Sequence, residues 1–365
     1  MNLHIKNNTY SFAEIQQGNF QLEGDDLIDP ILLFCFEWLN QTETFSLQSS
    51  GSTGTPKEIQ ILRTQMKSSA DATVEFLGLK ANDHALVCLN TNYIAGKMML
   101  VRCMEHNINA TIVPPCSAPF REHLLPKAFD FIAMAPIQVQ FSLDCAGDHP
   151  AFLQTKKLII GGAPITESLE KRIKQELSNT DVYHTYGMTE TVSHVALKKI
   201  HQQADSFFHT LPNVVIGQDD RKCLWVQGPM SNDVKLQTND VVRLINDTTF
   251  EWLGRADNII NSGGVKVQAE KVEKSINEGL KKIGYQNILM FVGGLPNENL
   301  GEEVTIFIEG ITLKQTEIDQ LLDIVKKPLD KYEVPRNVVS LSNFEKTDTM
   351  KIRRKATIQK FIEQQ

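Results

Sequence analysis

The sequence has no cysteine pair at C-x-x-C spacing, no His-Glu-x-x-His, no internal repeat and no low-complexity tract. Its six cysteines, Cys35, Cys88, Cys103, Cys116, Cys145 and Cys223, are scattered, so they read as reduced structural thiols rather than a disulfide framework or a zinc site. Cys116 lies between Pro115 and Ser117, and no base of matching context stands out for it, so it reads as an inert thiol. Met1 to Tyr10 lacks the apolar core of a signal peptide, and the longest early apolar run, Ile31 to Phe36, is too short to span a bilayer. Those absences predict a cytoplasmic protein with no membrane span. With 37 basic and 44 acidic residues the formal charge is −7, which gives no general attraction to nucleic acid. Any anion must be held by local groups.

A chain of 365 residues is long enough for two domains. Short β-like runs at 85–89, 110–113, 131–134 and 157–160 alternate with helical spacing, the grammar of an α/β domain. Leu169, Ile173 and Leu177 fall one turn apart after Thr166, predicting a helix at 166–177 behind a Gly161-Gly162 junction. From Phe207 to Leu253 shorter strands and turns predict an antiparallel subdomain. Beyond Arg255, strands near 288–292, 304–308 and 338–341 and a helix carrying Ile318, Leu321, Leu322 and Val325 predict a compact α+β unit with a boundary near Asp257.

Residues 47–57, Leu-Gln-Ser-Ser-Gly-Ser-Thr-Gly-Thr-Pro-Lys, have what a polyphosphate loop needs. Gly51 and Gly54 permit positive φ and close amide approach; Ser49, Ser50, Ser52, Thr53 and Thr55 supply rotatable donors and Lys57 a charge. The P-loop of nucleotide triphosphatases puts lysine directly after the second glycine, whereas Thr55 and Pro56 intervene here. A flexible Ser/Gly linker is the other reading of the composition.

Downstream stand His184-Thr-Tyr-Gly-Met-Thr-Glu-Thr191 and Gly254-Arg-Ala-Asp-Asn-Ile-Ile-Asn-Ser-Gly-Gly-Val-Lys266. In that order, the three segments resemble the adenylate-forming superfamily of acyl-CoA synthetases, luciferases and peptide-synthetase adenylation domains. The resemblance implies an α/β fold with a large N-terminal adenylate-forming domain of mixed sheets over 1–255 and a small α+β C-terminal lid domain over 256–365. It implies ATP, Mg²⁺ and CoA as co-substrates and cofactor, and a small carboxylic acid as the partner molecule. By the same resemblance Glu190 holds the metal, Thr189 meets the α-phosphate, Tyr186 lies against the adenine with Gly187 and Met188 beside it, and Gly161, Gly162 and Ala163 line the opposite face. Asp240 resembles the aspartate that accepts the ribose hydroxyls, with Asn239 where the family has glycine; Arg255 reaches ribose or phosphate. Asp257 resembles the hinge, and the resemblance puts Gly263, Gly264 and Lys266 on the CoA side. Lys351, preceded by Met350 in place of the customary glycine, resembles the lysine that bridges the attacking carboxylate and the α-phosphate; a basic helix face with Arg353, Arg354 and Lys355 is the alternative.

Leu158–Pro164, Tyr186–His194 and Asn258–Gly264 further resemble the o-succinylbenzoate–CoA ligases of menaquinone biosynthesis. For a dicarboxylic acid, the carboxylate that does not react needs a cation, and Lys97 or Arg102 is available. Tyr93, where that group has His, and Thr191, Ser193 and His194 complete the acyl-pocket candidates. Another aryl or fatty acid, a carrier-protein thiol as acceptor, and a nucleotide-binding sensor without catalysis remain alternative readings. Only 46 residues precede Leu47, fewer than the resemblance leads one to expect, and homodimerisation stays open.

Overall fold

A strand apolar at every position must be covered on both faces, which sends it to the middle of a sheet. Phe131–Met134 is buried throughout and Lys157–Ile160 at all but its first residue. In the structure, a computed structural model describing residues 1–48, 58–123, 125–147, 150–201, 206–286, 288–346 and 352–364, these two strands pair in parallel at the centre of a large sheet. The parallel half runs, in spatial order, Asn2–Ile5, Asn109–Ile112, His84–Val87, Phe131–Met134, Lys157–Ile160 and Asp181–Gly187. Alternation along these strands divides the core: Ala85, Phe131 and Ile159 face one side, Leu86, Ile132 and Leu158 the other. Helices cover both faces. Glu167–Glu176 starts where Thr166 accepts a hydrogen bond from the Leu169 N–H, and it buries Leu169 and Ile173.

After Asp181–Gly187 the sheet reverses sense and continues antiparallel through His194–Lys199, Phe208–Thr210, Thr249–Arg255, Leu236–Asn246, Cys223–Gln227 and Val215–Gln218; with Asn8–Ser11 antiparallel to Asn2–Ile5 at the other edge, 13 strands form one sheet. The antiparallel pairing expected at 207–253 is present, and these strands continue the large sheet rather than forming a subdomain of their own. Phe208 pairs with Phe250 across neighbouring strands with rings stacked 5.5 Å apart, and both share the core of the parallel half.

From Ile259 a second sheet of five strands forms: Ile259–Ser262, Val265–Gln268, Met290–Asn297, Gly301–Glu309 and Asn337–Leu341. Helices Ala269–Lys282 and Gln315–Val325 cover one face. Phe291, Phe307 and Phe344, with Ile358 and Phe361 of helix Arg354–Glu363, form a smaller core on the other. Lys281 Nζ meets Glu167 of the large sheet's helix at 3.1 Å, and Gln268 Nε2 donates to the Arg255 carbonyl at 3.2 Å. Among the described residues no helix is long and apolar enough to cross a membrane. The six cysteines are free, and all but Cys116 are buried.

Candidate active site

Ligands of open α/β sheets sit outside the carboxyl ends of the strands, where strand order changes. Here the switch from parallel to antiparallel falls at Asp181–Gly187, next to Lys157–Ile160. Gly161–Ala163 and Tyr186–Met188 leave the carboxyl ends of these two strands side by side. Gly161 has no room for a side chain, since a Cβ would overlap the Thr185 hydroxyl, while Gly162 takes φ +85° and lies open with Ala163. A Cβ at Gly187 would come within 2.5 Å of His194 Cα and the Ser193 carbonyl, so the backbones here touch.

Thr189–Thr191 forms a single 3₁₀ turn, with the Thr191 hydroxyl accepting from Met188 N–H at 3.1 Å and donating to Ser193 O at 2.8 Å. The next residue, Val192, has φ 64° and ψ −48°, and Ser193 N–H reaches back to Thr191 O at 2.7 Å. That is a γ-turn of the strained, positive-φ kind, carried by a β-branched residue. It turns the chain so that Glu190 stays exposed, with no ion-pair partner among the described residues, and Ser193 and His194 point inward.

Asp240 and Arg255 face each other across an antiparallel pair. Tyr186 Oη donates to Asp240 Oδ2 at 2.7 Å and Trp252 Nε1 to Oδ1 at 3.1 Å, with Arg255 at 3.6 Å from Oδ1. Arg255 also donates to Asp257 at 2.8 Å, and Asn239 Nδ2 lies 3.3 Å from the same carboxylate. The Arg255 hydrogen bond holds the Asp257 carboxyl below its usual range. Burial, then the Asp240 carboxylate, pushes the Tyr186 phenol well above its ordinary value. Tyr186 packs on Phe208 and Phe250, so the ring is fixed from behind while its hydroxyl is spent on Asp240. Trp252 is the member of this group that sequence patterning does not single out; a partly exposed tryptophan reads as surface until the register places it over Asp240.

The acyl-side candidates separate. Arg102 is 2 % exposed and has no carboxylate partner among the described residues: one guanidinium nitrogen donates to Ser193 Oγ at 2.9 Å, another lies 3.9 Å from Met99 Sδ, and Nε has no partner among them. Burial pushes its pKa down to about 10. His194, also buried, lies 3.2 Å from Ser193 Oγ through Nδ1 and 3.2 Å from Thr73 Oγ1 through Nε2. Burial and then the Arg102 charge drive its pKa well below the usual imidazole value. Lys97, five residues earlier on the same helix, faces another way: its ammonium sits 5.1 Å from the Phe34 ring. Tyr93, 51 % exposed, precedes the helix and joins neither group.

On the second sheet, Gly263 and Gly264, with φ of +59° and +79°, form the two-residue turn between Ile259–Ser262 and Val265–Gln268. Positive φ at both positions is what a tight hairpin requires. A Cβ on Gly263 would also press to 2.6 Å from the Tyr332 ring, and Lys266 is exposed beside the turn. Ser49, Ser50, Gly51, Ser52, Thr53, Gly54, Thr55 and Lys57 lie outside the described residues, as does Lys351. The strands on either side of 49–57, Thr44–Gln48 and Glu58–Leu62, pair antiparallel with Gln48 opposite Glu58.

The sheet switch, the glycine-lined strand ends and the ion-paired aspartates gather at one edge of the large sheet. Residues 44–217 match the family model described as AMP-binding enzyme. The chain is 35 % identical to the acyl-CoA synthetase (AMP-forming)/AMP-acid ligase II-like protein of Dyadobacter fermentans, over 94 % of this chain and 97 % of that one, with a TM-score of 0.64. The chain therefore belongs to the AMP-binding enzyme family. Among curated relatives, the 2-succinylbenzoate–CoA ligases of Oceanobacillus iheyensis and Lactococcus lactis are 23 % and 24 % identical over 80 % and 85 % of this chain. The chain spans 64 % and 69 % of their lengths. The O-succinylbenzoate coenzyme A synthetase of Bacillus subtilis, solved with ATP and a magnesium ion, shares the fold at a TM-score of 0.69 and 19 % identity, over 86 % of this chain and 69 % of that one.

Proposed function

We propose that the protein is an ATP-dependent acid–CoA ligase: an acid and ATP give an acyl-adenylate and pyrophosphate, and the CoA thiolate then displaces AMP. The observation that carries this reading is the assembled Tyr186–Asp240–Arg255–Asp257 group at the strand ends next to an exposed Glu190. Asp240 offers a carboxylate to paired ribose hydroxyls, and Gly162 and Ala163 leave a flat backbone edge for the base. Magnesium keeps several waters and takes one or two carboxylates plus phosphate oxygens, and exposed Glu190 beside hydroxyl-bearing Thr189 fits that need. Bound there, the ion would neutralise charge on the phosphates. On the family resemblance, Lys57 and the hydroxyls of 49–55 are assigned to the polyphosphate and Lys351 to the attacking carboxylate and the α-phosphate.

Residues 256–365 act as the lid, turning about Asp257 to present Lys351 for the first half-reaction and the Gly263–Gly264 hairpin with Lys266 for the second. Asp257→Pro, which fixes φ and removes an N–H, is expected to stop one half-reaction and spare the other; equal loss of both in a folded variant would contradict the hinge.

We infer that the acid is a dicarboxylate of the o-succinylbenzoate kind, as in menaquinone biosynthesis. Arg102, rather than Lys97, meets the carboxylate that does not react, with Ser193, His194 and Thr191 around it. A buried guanidinium without a counter-ion among the described residues supports this, since an uncompensated internal charge is costly. The test is acid-dependent AMP formation across o-succinylbenzoate, benzoate and medium-chain acids, with and without CoA. The expected result is strong turnover of the di-acid alone and thioester only when CoA is present; AMP formation indifferent to the acid would defeat the reading.

A further inference from the structure

In the loop that follows strand Asn109–Ile112, Cys116, Glu122 and His123 place a sulfur, a carboxylate oxygen and an imidazole nitrogen within 4.8 Å of one another. Nothing in the ligase chemistry uses them. Cys116 and His123 are half-buried and Glu122 is exposed, so the cluster opens to solvent on one side. Its backbone is held: buried Gln138 donates from Nε2 to the Cys116 carbonyl at 2.9 Å and to the Cys88 carbonyl at 3.0 Å, tying the loop to the end of the His84–Val87 strand. Arg121 and Glu122 N–H groups both return to the Ala118 carbonyl, closing the turn that brings His123 back over Cys116.

We propose that Cys116, Glu122 and His123 form a binding site for a zinc-class divalent cation, with water in the fourth position. The donor set is what selects it. Thiolate and imidazole suit a borderline-soft ion and are poor partners for magnesium or calcium, which take oxygen. A tetrahedral zinc about 2.3 Å from sulfur and about 2.0–2.1 Å from nitrogen holds those two atoms roughly 3.5 Å apart. Cys116 Sγ and His123 Nε2 stand 3.9 Å apart, so a few tenths of an ångström closes the pair. Glu122, exposed, swings in to supply the third donor. Binding displaces the Cys116 thiol proton to solvent, and the ion staples residues 116 and 123. The C-x₅-E-H order lies outside the familiar paired-cysteine and paired-histidine spacings, so sequence inspection passes over it.

The site is independent of the ligase reading, and its test reads metal rather than activity. The purified full chain, stripped with a chelator and titrated with Co²⁺ in the absence of ATP, is expected to develop a thiolate-to-metal charge-transfer band saturating at one ion per chain, and Zn²⁺ abolishes that band by competition. Cys116→Ser removes the band, while His123→Gln and Glu122→Gln keep it with affinity lowered roughly 10–100-fold or more, the loss that even an outer-shell change produces. Circular dichroism establishes that each variant is folded. A wild-type chain that shows no thiolate band, or a folded Cys116→Ser that retains it, overturns the assignment.

Discussion

The two sides of the candidate site are built to opposite rules. Around Asp240 every charge has its partner before any ligand arrives: Tyr186 and Trp252 donate to the carboxylate, Arg255 spans Asp240 and Asp257, and Asn239 steadies Asp257. Around Arg102 the cation is buried with a hydroxyl, a thioether and a neutral imidazole for company, and Nε is left over. A preassembled side binds what every turnover requires in the same pose, whereas an unfinished side is completed only by the anion that fits it. On the proposed function, selectivity is set at the buried, unpaired Arg102 and nucleotide placement at the preassembled Asp240.

The largest expected effect tests the nucleotide side. Lys351→Ala is expected to lower acyl-adenylate formation roughly 100- to 1,000-fold, the loss typical of one preorganised donor, while thioester formation from pre-made acyl-adenylate survives. Equal loss in both half-reactions would remove Lys351 from its role. Next in size, Arg102→Met is expected to cut the di-acid over mono-acid preference in kcat/KM by roughly 5- to 150-fold, the 1–3 kcal/mol of an unpaired buried group, with the KM for ATP unmoved. Asp240→Asn is the converse. It is expected to raise the KM for ATP about tenfold and leave the acid preference unchanged; a variant that shifts both together would erase the distinction between the two sides.

The smallest effect concerns pH. Burial, with Lys198 nearby, pushes His184 from 6.5 to about 4. The unfolded chain therefore binds the extra proton between those values, so stability falls as pH drops from 6.5 toward 4 and is flat with respect to this group above. His194 acts in the same sense. The urea midpoint of the wild type should decline across that window and decline less in His184→Gln; identical slopes would mean that His184 is already protonated in the fold.

Much of the scaffold is legible in the sequence where one local signal decides. The strand at 131–134 is apolar throughout and that at 157–160 at all but Lys157, and Thr166 marks the start of Glu167–Glu176. What is not legible depends on pairing between distant segments. Asn2–Ile5 joins the sheet through Asn109–Ile112, and Phe208–Thr210 reaches its neighbour Thr249–Arg255 across about forty residues, which turns an expected subdomain into the continuation of one sheet. The site divides the same way. Glycine and acidic motifs announce Gly161, Gly187, Glu190 and Asp240, but Trp252 meets Asp240 only through register. Lys97 and Arg102 are equal candidates until one remembers that five residues on a helix place side chains about 140° apart. The structure puts one over Phe34 and the other on Ser193.

The most direct test of an unfinished acyl side is thermal unfolding of the wild type and Arg102→Met, each with and without o-succinylbenzoate. Removing a buried cation that has no counter-ion is expected to raise the midpoint of the ligand-free variant above that of the wild type. The di-acid is expected to raise the wild-type midpoint and leave the variant's nearly still. An Arg102→Met chain less stable than the wild type, yet raised equally by the di-acid, would contradict the account.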